Sequence, residues 1–150
     1  MPIDPEIFAA NRTATERIRS IADRLTDADL ATPVGEDWTP GVVFTHLAFW
    51  DRRVLLTLDA SEAAGKVVVV DVDIAANDIS LEVWRLVPGR AAAEVAVREA
   101  RALDDRLAAF PPALLDDMLA ARPRWVLRHL HRNEHLDELE AALGAGAARA

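Results

Sequence analysis

Proline divides this chain into segments that have the apolar periodicity of α-helices. Pro5, Pro40 and Pro123 each precede such a segment, and proline is tolerated there because the first helical N–H groups have no partner within the helix. Pro88-Gly89 and Pro111-Pro112 lie where a preceding helix must stop. Because apolar residues recur three and four positions apart between these points, the pattern predicts an all-α chain.

Four long helices are predicted, over about residues 5–25, 40–58, 90–110 and 123–144. A short helix is predicted over about 73–86. The valine-rich stretch 66–73 before it is predicted to be an extended connection, because a lone strand has no pairing partner among helices. A short turn with Leu114, Leu115 and Met118 and a frayed tail after Gly144 complete the chain. The pattern therefore predicts a four-helix bundle and a single domain, residues 1–150, with a short extra helix between its second and third helices.

Two caps and four buried faces follow from the same pattern. Asp4 and Thr39 precede Pro5 and Pro40, as N-cap residues do. Each long helix has one apolar stripe that should face the interior. The residues predicted to be buried are Ile7, Asn11, Ala14, Ile18, Ile21, Leu25, Val43, His46, Leu47, Trp50, Val54, Val95, Ala102, Leu103, Leu107, Phe110, Trp125, Leu136, Leu139 and Leu143.

The composition restricts the partners and the chemistry. The net charge of −8 argues against nucleic acid, which is bound largely through cationic side chains. The mixed triplet Asp51-Arg52-Arg53 is interpreted as a solvated helix face. With no apolar run of about 18 residues and no secretory leader pattern, we expect a soluble, cytoplasmic protein without a membrane partner. The absence of cysteine excludes disulfides, thiolate metal ligands and a cysteine nucleophile.

Two of the four histidines have a spacing typical of metal ligands. His131 and His135 are four positions apart, on one face of the fourth helix and beside its apolar stripe. His46 lies on the predicted inner face of the second helix. Three imidazoles that meet inside a bundle can bind a divalent transition metal and leave coordination positions open for a substrate. His129 projects from the other flank and is left out of the predicted site.

Residues near the histidine pair suggest further roles. Glu134 and Glu138 are within one turn of it and are candidates for orienting an imidazole, for a fourth ligand, or for a proton acceptor. Otherwise the sequence identifies no catalytic residue. Less specific interpretations stay open: the histidine pair can be surface decoration, and His46 a hydrogen-bonded core residue. Trp38-Thr39-Pro40 is interpreted as a capping and packing device.

Together these motifs resemble those of a known family. The first motif is the start of the second predicted helix, with the sequence Asp37-Trp38-Thr39-Pro40, then Val42-Val43-Phe44-Thr45, then His46-Leu47-Ala48. The second motif, near the C-terminus, is His131-Arg-Asn-Glu-His135. The combination is similar to the DinB-like superfamily, which includes the YfiT-like proteins and the metal-binding domain of mycothiol-dependent maleylpyruvate isomerase. The resemblance implies an up-up-down-down four-helix bundle, frequently dimeric, with a divalent metal on His46, His131 and His135.

Three functions are compatible with these features. The leading hypothesis, which the resemblance implies, is a thiol-dependent S-transferase or isomerase that uses a low-molecular-weight thiol such as mycothiol or bacillithiol and a small-molecule substrate. The second is a hydrolase that uses the same ion, most simply zinc or nickel. The third is a non-catalytic bundle that binds metal or a small ligand, or only forms a homodimer, through Phe49 and Trp84 if they are exposed. Arg53, Trp50 and Arg128 are plausible pocket residues by position but are left out of the predicted site.

Overall fold

The computed structural model describes residues 3–149, with side chains described for residues 3–146. Over residues 3–149 the regular elements are all helices, as the periodicity predicts, and the valine-rich stretch 66–73 forms no strand. In chain order the helices are α1 (Pro5–Arg24), α2 (Asp27–Leu30), α3 (Pro40–Ala64), α4 (Ala76–Arg85), α5 (Gly89–Ala108), α6 (Pro112–Ala121), α7 (Pro123–Val126) and α8 (Arg128–Arg149).

The predicted N-caps of α1 and α3 are confirmed. The Asp4 carboxylate accepts a first-turn backbone N–H at 2.9 Å, and the Thr39 hydroxyl accepts one at 3.2 Å. A further cap was not predicted: Thr26 and Asp29 bond each other's backbone N–H groups in a capping box that begins α2. Helix α2 has only four residues, too few to show a period in the sequence.

Two helix boundaries in the middle of the chain differ from the prediction. Helix α3 ends at Ala64 rather than at about Leu58, because the next residue, Gly65, takes a left-handed conformation with φ of 66°. Glycine adopts such a φ without steric cost and commonly terminates helices. Helix α4 begins at Ala76 rather than at Asp73, whose carboxylate instead accepts the backbone N–H two residues later at 2.7 Å.

The C-terminal third contains more helix than predicted. The segment that was predicted to be a short turn is helix α6, in which Leu115 and Met118 are buried. Helix α8 continues to Arg149 rather than ending at Gly144, and the remaining residue of the predicted frayed tail, Ala150, lies outside the described residues. Both stretches are rich in alanine, the strongest helix former.

The predicted fourth helix is interrupted at Leu127, which separates α7 from α8 with φ of −82° and ψ of 62°. Asn11 of α1 binds the backbone on both sides of this break. Its side-chain amide donates to the Val126 carbonyl at 2.9 Å, and its Oδ1 accepts the His129 backbone N–H at 2.9 Å. A contact between distant parts of the chain therefore satisfies backbone groups that the interruption would leave unpaired.

The four long helices pack around a shared interior. Helix α1 contacts α5 and α8, and α3 also contacts both. The buried face of α5 is largely small, which lets α3 and α1 approach it closely, and consists of Ala92, Ala93, Ala96, Val97, Ala100, Leu103, Asp104 and Leu107. Ala102 was predicted on this face but is exposed, since it lies about 100° around the helix from Leu103. Val95 is half-buried.

Helices α3 and α5 begin in close contact. A Cβ atom on Gly41 would lie 3.1 Å from Gly89 Cα, and one on Gly89 would lie 2.6 Å from Leu30 Cβ. A side chain at position 89 would force Leu30 of α2 away from the start of α5, and Gly41 allows α3 to approach Gly89 closely. The start of α3, whose second turn contains His46, is thereby held close to α5.

The outer faces of the long helices are polar. Exposed ion pairs join α1 to its neighbours, with Arg17 2.7 Å from Asp137 and Glu16 2.9 Å from Arg101. Such surface pairs add at most about 1 kcal/mol each. In the part of the chain that the structure describes, no helix combines the length and apolarity needed to cross a membrane.

Candidate metal centre

Helices α3 and α8 bring three of the four histidines together. His46 is buried, and His131 and His135, one turn apart on α8, are half-buried. His46 Nε2 lies 3.2 Å from Nε2 of His131 and 3.0 Å from Nε2 of His135. One ring nitrogen from each histidine lies within 4.8 Å of the other two. The three residues predicted as metal ligands are therefore close enough to hold one ion.

The separations between these nitrogens fit a divalent transition metal. Imidazole binds zinc at about 2.0–2.1 Å, which puts two ligand nitrogens roughly 3.3 Å apart in tetrahedral geometry and roughly 2.9 Å apart in octahedral geometry. The separations of 3.0 and 3.2 Å from His46 lie in this range. Three imidazoles suit zinc, nickel, iron and copper, and leave coordination positions open.

Trp50 and Asn77 fix the proton position on His46. Trp50 Nε1 donates to Asn77 Oδ1 at 2.9 Å, and His46 Nδ1 lies 3.1 Å from the same oxygen. Because an indole nitrogen is only a donor, the shared atom must be the amide oxygen, and His46 Nδ1 must also donate to it. The lone pair of His46 Nε2 is then free toward the other two histidines, as a metal ligand requires.

The two glutamates suggested by the sequence have different surroundings. Glu138 Oε2 lies 3.5 Å from His135 Nδ1, a position from which outer carboxylates orient metal-binding histidines. Glu134 instead accepts hydrogen bonds from Arg124 at 3.0 and 2.6 Å, and these bonds lower the pKa of Glu134. A carboxylate with a lowered pKa is a weaker proton acceptor, so the geometry disfavours Glu134 as a general base.

Arg128 favours on His131 the tautomer opposite to the one that Asn77 favours on His46. Arg128 Nη2 lies 3.0 Å from His131 Nδ1, and arginine has no acceptor, so His131 Nδ1 must accept this bond. The contact favours a proton on His131 Nε2, which then faces the lone pair of His46 Nε2. Coordination of an ion through His131 Nε2 needs the other tautomer, and therefore requires Arg128 to release this bond.

Burial keeps the three imidazoles neutral. Desolvation is the largest effect on each ring: it lowers the pKa of His46 to about 3 and also lowers the pKa values of His131 and His135. The positive charge of Arg128 lowers the pKa of His131 further. Neutral imidazole is the form that binds metal, so the ring nitrogens are available as ligands at neutral pH.

The histidines form one wall of a pocket of about 350 Å³. Trp38 stands beside two of them, with its ring centroid 4.9 Å from that of His46 and 6.0 Å from that of His135. Thr39 thus acts as the predicted cap, while Trp38 also lines the pocket. The same pocket is also lined by Trp50, Arg53, Asn77, Arg124, Trp125 and Arg128.

A buried network of opposite charges adjoins the site through Arg128. Asp51 accepts hydrogen bonds from Arg128 Nε and Arg132 Nε, both at 2.9 Å. Arg132 is fully buried and also donates to Asp104 at 2.8 Å, while the other oxygen of Asp104 accepts the Thr15 hydroxyl at 2.5 Å. The two guanidinium groups and two carboxylates balance in charge, and each is hydrogen bonded, as buried charges require.

The interpretation of Asp51-Arg52-Arg53 as a solvated face is therefore wrong for two of its three residues. Asp51 is 1% exposed and the Arg53 side chain 13%, whereas the Arg52 side chain is 60% exposed. Asp51 lies four residues after Leu47 and three before Val54, so it belongs to the stripe predicted to face the interior. Its position on that stripe was the signal that could have identified it.

The fourth histidine lies outside the histidine group, and the two aromatic residues suggested for a dimer surface are not exposed. The ring of His129, which was left out of the predicted site, lies 3.0 Å from Asn11 Oδ1. Trp84 is buried, with its ring centroid 5.9 Å from that of His46, and Phe49 is half-buried. Exposure of Phe49 and Trp84 was the condition for a dimer surface there, and it is not met.

Sequence reasoning did not assign Asn77 or Arg128 to the site. Arg128 is one turn before His131 on the same helix, and this spacing was an available signal. Asn77 is 31 positions from His46, in a region without a strong pattern, and nothing in the sequence pointed to it.

Comparisons with known proteins return no match. No family model, no curated protein and no solved structure matches this chain. The resemblance to the DinB-like superfamily therefore stays a prediction from its motifs, and conclusions about chemistry depend on the geometry of the site.

Proposed function

We propose that this chain is a metal-dependent enzyme that uses a low-molecular-weight thiol, and that His46, His131 and His135 bind the ion, zinc or nickel. The observation that carries the proposal is the convergence of three neutral, largely buried imidazoles on one point beside a pocket. We also propose that α1, α3, α5 and α8 form a four-helix bundle of the DinB-like type.

A divalent ion in this site would supply Lewis acidity, which lowers the pKa of a bound thiol and raises its thiolate fraction at neutral pH. The chain itself contributes two pre-oriented ligands, because Asn77 holds the His46 ring and Glu138 lies beside the His135 ring. Trp38 packs beside both rings. Since the chain contains no cysteine, the nucleophilic sulfur in this proposal belongs to a substrate.

The metal site is tested by elemental analysis of tag-free protein. We expect near one equivalent of a transition metal in the parent and less than about a tenth in His46→Ala and His131→Ala, since each variant removes one of three ligands. His129→Ala is the matched control, because His129 lies on the same helix outside the group, and it should retain the metal. A parent protein that is empty, does not bind added zinc or nickel, and melts identically with chelator would contradict the proposal.

The activity is tested with mycothiol and bacillithiol as thiols and monochlorobimane as the electrophile. The sulfur forms a bond to the electrophilic carbon, chloride leaves with its electron pair, and the thiol proton passes to solvent. We expect the protein to accelerate this reaction, and chelator or His46→Ala to abolish the acceleration. Thiol-independent hydrolysis of 4-nitrophenyl acetate would instead favour the hydrolase alternative, and metal binding without either reaction would favour a non-catalytic bundle.

The proposal includes a homodimer, which the family resemblance implies. Sedimentation velocity of the purified protein should then give a species of twice the chain mass. A monomer at all concentrations would remove the dimer from the proposal without affecting the metal site.

A further inference from the structure

The pocket beside the histidines has the opposite charge to the chain as a whole. The chain has 25 acidic and 17 basic residues, which gives a net charge of −8. Among the described residues, however, the pocket is lined by Arg53, Arg124 and Arg128 and by no aspartate or glutamate. A cationic pocket in an acidic protein points to an anionic ligand.

Two of these three arginines already have anionic partners. Arg124 donates through both terminal nitrogens to Glu134. Arg128 donates to Asp51 at 2.9 Å, to the Arg124 carbonyl at 3.0 Å, and toward His131. The positive charge of each of these two side chains is therefore partly compensated by a carboxylate of the chain.

Arg53 is the arginine whose charge is least compensated. Its Nε donates to the Val70 carbonyl at 3.0 Å, and its Nη1 has no hydrogen bond within residues 3–146. The nearest carboxylate, that of Asp71, lies 3.7 Å from Nη2 and is 91% exposed, so water weakens its effect. Burial lowers the pKa of Arg53, the direction expected for a cation that lacks full compensation.

Aromatic rings hold this guanidinium and provide an apolar surface next to it. The Arg53 Cζ atom lies 4.3 Å from the Trp125 ring centroid and 5.5 Å from that of Trp50. Val54 and Ile74 add aliphatic walls to the same pocket. A flat apolar group can lie against these surfaces while its charged end meets Arg53.

We infer that this pocket binds an organic monoanion with a flat apolar body, an aromatic or conjugated carboxylate, whose carboxylate is held by Arg53. One under-compensated cation calls for a single negative charge, and the guanidinium fork matches a planar carboxylate in a bidentate arrangement. That this anion is the electrophilic substrate rests on the proposed function, whereas its binding to Arg53 does not depend on a metal.

The binding is tested with sodium benzoate on the 150-residue chain as purified, followed through the indole N–H signals in NMR spectra. Benzamide has the same shape without the charge, and acetate has the charge without the ring. We expect saturable binding of benzoate, and binding of the other two at least tenfold weaker. Absence of saturable benzoate binding, or equally tight binding of benzamide, would overturn the inference.

Neighbouring residues of α3 provide a matched pair of variants. Arg53→Gln should weaken benzoate binding at least tenfold, because it removes the charged hydrogen bonds. Arg52→Gln, at the exposed adjacent position where the arginine lies 3.5 Å from Glu99, should change it less than twofold. A folded Arg53→Gln variant with the affinity of the parent would contradict the role of Arg53.

A third variant tests the inference without disturbing the buried arginine. Asp71→Asn removes the carboxylate that competes for Arg53, and since Asp71 is exposed the protein should fold normally. We expect benzoate binding two to three times tighter than in the parent, and unchanged binding would count against Arg53 as the anchor.

The titration is repeated with chelator to separate this inference from the proposed function. Benzoate binding that persists in chelator supports Arg53 as the anchor even if the protein proves to have no metal. Benzoate binding that disappears with the metal would mean that the ion, and not Arg53, holds the carboxylate, and would overturn the inference while leaving the metal site intact.

Discussion

Two polar clusters adjoin between α3 and α8, and they differ in how completely their groups are paired. In the charged network, Asp51 and Asp104 are each bonded to buried arginine. In the histidine group, His46 Nε2 presents one lone pair to two other ring nitrogens at 3.0 and 3.2 Å. A network that is complete within the chain is explained by folding. The single lone pair of His46 Nε2 can accept only one hydrogen bond, so one of the two facing ring nitrogens has no partner within the histidine group unless a cation enters from outside.

Arg128 belongs to both clusters and shows how they are linked. Its Nε is bonded to Asp51 of the charged network, and its Nη2 faces His131 of the histidine group. The charged network therefore fixes the position of a group that controls the tautomer of one proposed ligand. The comparison indicates that the network contributes to stability directly and restrains the proposed metal site through His131.

Breaking the charged network should have the largest effect on the free energy of unfolding. Asp51→Ala leaves Arg128 and Arg132 buried without their shared carboxylate, and we expect a loss of about 3–5 kcal/mol in the free energy of unfolding. Urea denaturation followed by circular dichroism measures this loss. Asp105→Asn is the control, because Asp105 is 77% exposed and its pair with Arg12 is at the surface. A loss below about 1 kcal/mol for Asp51→Ala would show that the network is not needed for stability.

Removing a ligand from the histidine group should change stability mainly through the loss of metal binding. With zinc at about 100 times its dissociation constant, the parent should gain about 2.7 kcal/mol of stability, and His131→Ala should gain almost none. In chelator the free energy of unfolding of the variant should be within about 1 kcal/mol of that of the parent. Thermal unfolding with zinc and with chelator measures both differences, and an equal zinc effect on parent and variant would contradict the assignment of His131.

Weakening the outer support of the histidines should reduce affinity without abolishing binding. Asn77→Ala removes the acceptor that fixes the His46 tautomer, and we expect zinc affinity to fall about 10- to 100-fold. Trp50→Phe should have a smaller effect in the same direction, since it removes only the indole donor. Trp125→Phe is the control within the pocket. Calorimetric titration with zinc measures all three, and a zinc affinity for Asn77→Ala equal to that of the parent would remove Asn77 from the site.

The smallest expected effect is on pH dependence. Burial holds the pKa of His46 at about 3, below its ordinary value near 6.5, so in chelator the unfolded chain binds a proton that the folded chain does not. This contribution to stability is complete above about pH 6.5 and is lost as the pH falls. Between pH 6.5 and 5, stability should fall more steeply in the parent than in His46→Ala, by about 1 kcal/mol per pH unit on average. Equal slopes in urea denaturation would indicate that His46 is accessible to protons.

The sequence predicted the four long helices and the helix face on which each of the three histidines lies, because both depend on local spacing. Proline at 40 and 123 marks helix starts, and a four-residue spacing puts His131 and His135 on one face. The same spacing cannot show which distant face lies opposite. Asp51 meets Arg132 across 81 positions, and helical periodicity contains no information about that pairing.

The interruption at Leu127 escaped prediction for a related reason. The position has neither proline nor glycine, and the backbone groups beside it are satisfied by Asn11, 115 positions before Val126. Only the packed structure makes the break favourable. The same applies to Asn77, whose role depends on the amide oxygen that Trp50 and His46 share.

The division of the three histidines between α3 and α8 has a consequence during synthesis. His135 leaves the ribosome 89 residues after His46, which at about 5–20 residues per second is a delay of roughly 4–18 s. During this interval the nascent chain lacks the surface of α8 that packs against α3, and it has only one of its proposed ligands until His131 emerges. The metal site is therefore expected to form late in translation, when most of the chain has already emerged.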